Sequence, residues 1–263
     1  MTHKFGLGTD DELGAYTKHM ARLRRNWSSW TPQERAHYLV QAANAGLARQ
    51  GVPEVDWGWF EHDENPVDAG AQFQRGDWTV KLNQADFSDD KPPSIGALQE
   101  MAKGVYHETR HAEQYFLLAQ HRYKQVGKGQ IVDNETGIKP QVIKAAMKAS
   151  KAGPLSAAQG AAAQSWYDSL ISESGQKTMS GLGAEAALLV EQGKKGSPAW
   201  RDLLRRYTAQ AHEKDTYQVH DRLTELARPL LESQESEVQK RYRRAQKKKQ
   251  RAAAATLSGY QEL

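Results

Sequence analysis

The sequence predicts an α+β fold, mainly helical, with a small antiparallel sheet packed on one long helix. Three observations lead there. Apolar residues recur at helical spacing over most of the 263 residues. One window, residues 52–88, is instead rich in β-branched and aromatic residues. The stretch that follows, residues 94–126, keeps a helical period without a single proline.

Taken in order, residues 10–25 place Leu13, Tyr16, Met20 and Leu23 on one helix face. Thr31-Pro32-Gln33-Glu34 reads as an N-cap, a proline in the first turn and a capping acid. That second helix runs through Tyr38, Leu39, Ala42 and Ala45 to Gly46 or Gly51. Trp27 and Trp30, between the two helices, are expected in the core. Residues 52–60 and 71–87 are expected to form three or more short strands, with a hairpin turn at Arg75-Gly76-Asp77. Trp78, Val80 and Leu82 fall on one face of a strand, and Thr79, Lys81 and Asn83 on the other.

Ser94, after Pro92 and Pro93, is a natural N-cap for the long helix. On a helical wheel Leu98, Met101, Val105, Ala112, Phe116 and Ala119 form the core stripe. Further on, residues 128–139 read as a polar loop and 140–150 as a short helix. Ser156 starts another helix, and Gly181 and Gly183 are expected to interrupt the next. Pro198 opens a last long helix ending at Pro229. One domain, residues 1–235, followed by a basic helical or disordered tail, 236–263, accounts for the pattern.

Bulk properties narrow the chemistry. The net charge is only +4, and there is no cysteine. Disulfides, thiolate zinc sites and cysteine nucleophiles are therefore excluded. No stretch approaches the ~20 apolar residues of a membrane-spanning helix. The first residues have no apolar run of signal-peptide length. A chain made in the cytoplasm, without its own Sec-type export signal, is the expectation.

The long helix carries His107-Glu108-Thr109-Arg110-His111, an HExxH pentapeptide. Residues four apart share a helix face, so both imidazoles can hold one zinc ion. The glutamate between them can take a proton from a zinc-bound water. Both histidines lie at the edge of the core stripe, beside Gly104, where a cleft can open and another backbone can approach. Such a site needs a third ligand, without cysteine a carboxylate or a histidine. Glu173, Glu185, Glu191, His212, Glu213, Asp215, His220, Asp221 and Glu225 are available, most densely over 207–221. Glu213 and His212 are rival ligands, and Asp215 is placed to orient His107 or His111. Tyr217, His220 or Tyr207 is expected to stabilise the developing oxyanion.

The string 106–116, YHETRHAEQYF, resembles the motif helix of zincin-type domains at the C-terminal ends of bacterial polymorphic and secretion-system toxins. Trp166-Tyr167-Asp168-Ser169 is similar to a second pattern of that group. After Tyr207, the stretch Ala211-His212-Glu213-Lys214-Asp215-Thr216-Tyr217 stands where the group has an acidic segment. Glu213 matches the acid expected as third ligand and Asp215 the following Asp. The departures are Gln210-Ala211-His212 and Thr216-Tyr217, and they leave Glu213 and His212 both open. The resemblance implies a zincin-like fold, one Zn2+ per chain and zinc metallopeptidase activity on a protein or peptide. It also implies a toxin or effector setting, with delivery through a secretion system and a delivery-machinery or immunity-protein partner. In such folds a strand above the helix lends its edge to an extended substrate, a role for Trp78, Thr79, Val80, Lys81, Leu82 and Asn83 here.

A competing class rests on the tail. Residues 240–251, KRYRRAQKKKQR, hold eight Lys or Arg. Such a run can bind nucleic acid or an anionic surface by releasing counterions. The preferred expectation is a solvated tail or a segment that docks to a delivery partner, with nucleic-acid binding the alternative.

Overall fold

The computed structural model describes residues 5–60 and 70–259. After a 3-10 turn (Gly6–Gly8), helices α1 (Asp10–Asn26) and α2 (Pro32–Arg49) are joined by a second 3-10 turn, Trp27–Ser29. Thr31 and Glu34 form the expected capping box at the start of α2. Strands β1 (Asp56–Trp59), β2 (Ala71–Gln74) and β3 (Thr79–Leu82) follow, then the single turn α3 (Ala85–Ser88). The long helix is α4 (Ile95–Val126), capped by Ser94 and ended by Gly127 at φ +67°. Seven more helices complete the chain: α5 (Gly129–Thr136), α6 (Pro140–Ala152), α7 (Ala157–Leu170), α8 (Glu173–Glu191), α9 (Pro198–Thr208), α10 (Ala211–Ser233) and α11 (Glu235–Gly259).

The fold is mainly helical, as expected, and α4 is its axle. Helices α1, α2, α6, α7 and α10 all pack on it, and β2 lies along it near the motif. All six residues of the expected core stripe are buried, as is Trp27. Asn44 on α2 positions β1 by bonding both the N–H and the C=O of Val55, at 2.9 Å each. Helices α8 and α9 form a hairpin with its own small core of Leu182, Leu189, Trp200 and Leu203.

Several expectations are corrected. The sheet is mixed rather than antiparallel, in the order β1-β3-β2. β2 and β3 are a hairpin and pair antiparallel, but β1 pairs parallel with β3. Alternation fixes which side chains are buried, and Trp78, Val80 and Leu82 are. It says nothing about the direction of a neighbouring strand. β3 is therefore the central strand, so residues 78–83 cannot offer an edge to substrate; the edge on the motif-helix side is β2. Within the hairpin turn the left-handed position falls on Trp78, at φ +57°, not on Gly76. Its ring is buried and its Nε1 donates to Pro53 O at 3.1 Å, contacts that hold the unfavourable backbone in place.

Residues 129–136 form α5 instead of a loop, because Val132 reaches the core. Gly181 and Gly183 do not interrupt α8; both face open space, where helix tolerates glycine at modest cost. The last long helix breaks at 209–210 into α9 and α10, and Pro229 sits inside α10 rather than ending it.

Candidate metal centre

His107 and His111 lie one turn apart on α4, with their Nε2 atoms 3.1 Å from each other. Glu213, in the first turn of α10, faces both: Oε2 is 3.2 Å from His107 Nε2 and Oε1 is 3.4 Å from His111 Nε2. A tetrahedral ion with ligands at about 2.0–2.1 Å sets its donors roughly 3.3–3.4 Å apart. The observed spacings approximate that edge. Glu213 is buried, and its Oε2 has no hydrogen-bond partner among the described residues. Two imidazole nitrogens and the Glu213 carboxylate, whose Oε2 has no partner but the His107 ring, thus converge on one point, a donor set that suits a shared cation.

The electrostatics agree. Burial opposes the charge on His111, but Glu213 and, more weakly, Glu108 and Gln114 push its pKa up to about 9. Burial likewise opposes ionisation of Glu213, but His111 and His107 hold it well below the usual carboxylate range. The carboxylate is therefore anionic at neutral pH and is matched by positive charge.

His107, Glu108 and His111 also form a cluster whose donor atoms lie within 4.8 Å of one another. Glu108 has a different neighbour, however. Its Oε2 accepts the N–H of Phe73 on β2 at 2.8 Å, and the side chain borders the cleft. Glu213 is better placed as a third donor, because among the described residues it bridges both imidazoles from another helix. His212 stands beside Glu213, on the same helix, rather than across from both imidazoles. Its Nδ1 meets Ser169 Oγ at 3.2 Å, and its Nε2 stands 3.5 Å from Glu213 Oε1. Burial lowers its pKa to about 4, with His111 and His107 adding to the shift against Glu213.

A layer of support lies behind the donors. His111 Nδ1 faces Gln114 Oε1 at 2.8 Å, which fixes a proton on Nδ1 and makes Nε2 the nitrogen that a metal would take in place of its proton. Gln114 Nε2 donates to His212 O and to Asp215 Oδ2. Asp215 accepts from Arg110 Nε at 2.9 Å, and Arg110 also donates to Glu113. Glu113 in turn accepts the Leu7 N–H at 3.0 Å. Asp215 thus acts on His111 through Gln114, one residue further off than expected. Sequence reasoning missed Gln114 and Arg110, though Gln114 at i+3 from His111 was a readable sign.

The three aromatic candidates separate. Tyr207 OH donates to Glu213 Oε1 at 2.5 Å, so its hydroxyl is engaged with that carboxylate and Tyr207 does not border the cleft. Tyr217 and His220 border a cleft of about 520 Å³ together with His107, Glu108 and Gly104. Burial lowers the His220 pKa to about 4, Lys103 and His107 adding to it, so the ring is neutral at pH 7. The remaining carboxylates considered lie elsewhere. Glu185 pairs with Arg206 and Glu225 with Arg222, while Glu173 lies in the first turn of α8, after its cap Ser172; Glu191 and Asp221 are exposed. Gly104 keeps the place expected of it: a Cβ there would lie 3.6 Å from Ala71 Cβ on β2, so strand and helix meet beside the histidines.

No family model, curated protein or solved structure matches this chain.

Proposed function

We propose that this chain is a zinc-dependent metallopeptidase of zincin type, holding one Zn2+ through His107, His111 and Glu213. The observation that carries the reading is the convergence of those three side chains beside Glu108 at the mouth of a cleft. Zinc, when bound, lowers the pKa of a water to about 7 and polarises a scissile carbonyl. Glu108 accepts a proton at its carboxylate and returns it to the leaving amine. Gln114, itself held by Asp215 and Arg110, keeps His111 in the tautomer that presents Nε2. Tyr217 and His220 are the donors available to a developing oxyanion. An extended peptide adds along β2, the terminal strand on the motif side, in place of residues 78–83, and in doing so takes the Phe73 N–H that Glu108 accepts in the free chain and releases that carboxylate. The toxin or effector setting, with its delivery and immunity partners, rests on the resemblance of residues 106–116.

Zinc content and hydrolysis of an unstructured protein substrate, measured on the same preparations, test the reading. The native chain should hold about one zinc. Glu108→Gln should keep the metal and lose hydrolysis by roughly 10²–10⁴-fold. Glu213→Ala should lose the metal while staying folded. A fully active Glu108→Gln variant, or a native chain that takes up no zinc, would sink the proposal.

A further inference from the structure

Helix α11 is docked on the body rather than trailing from it. Val238 is only 2% exposed, and Tyr242 and Ala245 on the same face are half-buried. These positions follow the helical period and pack against α1 and the Trp27–Ser29 turn. Glu235 pins the first turn to Arg24 at 2.6 Å. With that face turned inward, the basic residues turn outward. Lys240, Arg244 and Lys247 form an i, i+4, i+7 stripe, flanked by Arg241, Arg243 and Lys248, and all six are exposed.

A groove of about 300 Å³ runs between α11 and the end of α1, bordered by Arg25, Ser28, Arg241, Tyr242 and Arg244, with one carboxylate, Glu237, at its wall. Neither Arg25 nor Arg244 lies within ion-pair distance of a carboxylate among the described residues, and the nearby Glu237, which feels the charge of Arg244, is bonded to Arg241. Ser28 Oγ is buried there without a hydrogen-bond partner among them. Arg241 is matched by Glu237 at 3.0 Å. The groove therefore offers unmatched guanidinium groups and an unused hydroxyl, the donors that phosphate oxygens take.

We propose that this face binds the phosphodiester backbone of a nucleic acid, with the strand tracking the α11 stripe and a phosphate seated in the groove. The contacts are to phosphates, so binding is indifferent to base sequence. A membrane surface fits less well. Over residues 235–248 the apolar side of the helix, Val238, Tyr242 and Ala245, is already packed inward rather than free to enter the bilayer interface, and a flat surface does not enter a groove. This inference does not depend on the hydrolytic reading.

The test is fluorescence anisotropy of the full chain with a labelled duplex of roughly 20 base pairs and with an RNA single strand of equal length. With about four phosphate contacts, affinity for the duplex should fall on the order of 100-fold between about 50 and 200 mM salt. Arg25→Glu with Arg244→Glu should weaken binding by at least ~10-fold, and Lys240→Glu with Lys247→Glu should do the same without touching the groove. The charge-matched pair Lys177→Glu with Lys194→Glu, exposed on and after α8, should change it far less. Circular dichroism would confirm that each variant is folded. Equal losses in all three pairs, salt-independent binding or no binding would overturn the proposal. Capture by phosphatidylserine vesicles without binding to either nucleic acid would replace it with the membrane reading.

Discussion

Tyr207 spends its hydroxyl on Glu213 while its ring packs on the small core of the α8–α9 hairpin. Burial and the adjacent Glu213 push its pKa well above the usual tyrosine value, so it remains a donor. Tyr207→Phe should keep the ring packing and free one carboxylate oxygen to turn. Zinc affinity, read by competition with a chromophoric chelator, should fall about 10–100-fold. Unchanged affinity would mean that the imidazoles alone orient the carboxylate. At this scale the HExxH residues were legible because their chemistry and spacing are local to one helix. The choice between Glu213 and His212 was not. Adjacent helix residues point about 100° apart, and only the docking of α10 on α4 decides which one faces the histidines. Arg110 escaped notice because a charged residue on a helix usually faces solvent, whereas here α10, the segment at Phe5 and Trp166 of α7 close over it.

Helix α4 and strand β2 meet at Gly104, and their contact sets one wall of the cleft. Gly104→Ala adds a methyl group at ordinary contact distance and removes a glycine from a helix interior. It should stabilise the chain by about 0.5–1 kcal/mol in urea unfolding. Gly104→Leu has no such room; it should push β2 outward, lower stability and reduce hydrolysis together. A leucine variant unchanged in both would mean that β2 does not rest on this face. Helix and strand existence was readable from periodicity at this scale, and the capping boxes at Thr31 and Ser156 are where side-chain chemistry marks them. Strand order was not readable, since β1 reaches β3 across the chain rather than through a hairpin. The break at 209–210 carries neither glycine nor proline. It exists because α10 must turn to lay Glu213 and Asp215 against α4.

Across the whole molecule, the chain's distant parts are tied by buried polar contacts rather than by the sheet. The first turn reaches Glu113 through Leu7 N–H, and α10 reaches Arg110 through Asp215. Helix α11 depends on a smaller tie, the Arg24–Glu235 pair, in which Arg24 is almost fully buried and Glu235 is half-exposed. The bond from Arg24, then that from Gln239, lowers the Glu235 pKa below its ordinary value, with burial opposing. The folded value therefore lies below the unfolded one. The contribution is complete above about pH 4.5, where the unfolded carboxylate is ionised, and is lost as pH falls through the folded value. Acid should loosen the first turns of α11 before the α4 core yields. Amide exchange in α11, corrected for intrinsic rates, should accelerate below that pH. Glu235→Gln should show the same loosening at pH 7 and weaken nucleic-acid binding, because the basic stripe then loses its fixed place beside the groove. Protection in α11 that ignores both acid and Glu235→Gln would assign the docking to Val238, Tyr242 and Ala245 alone.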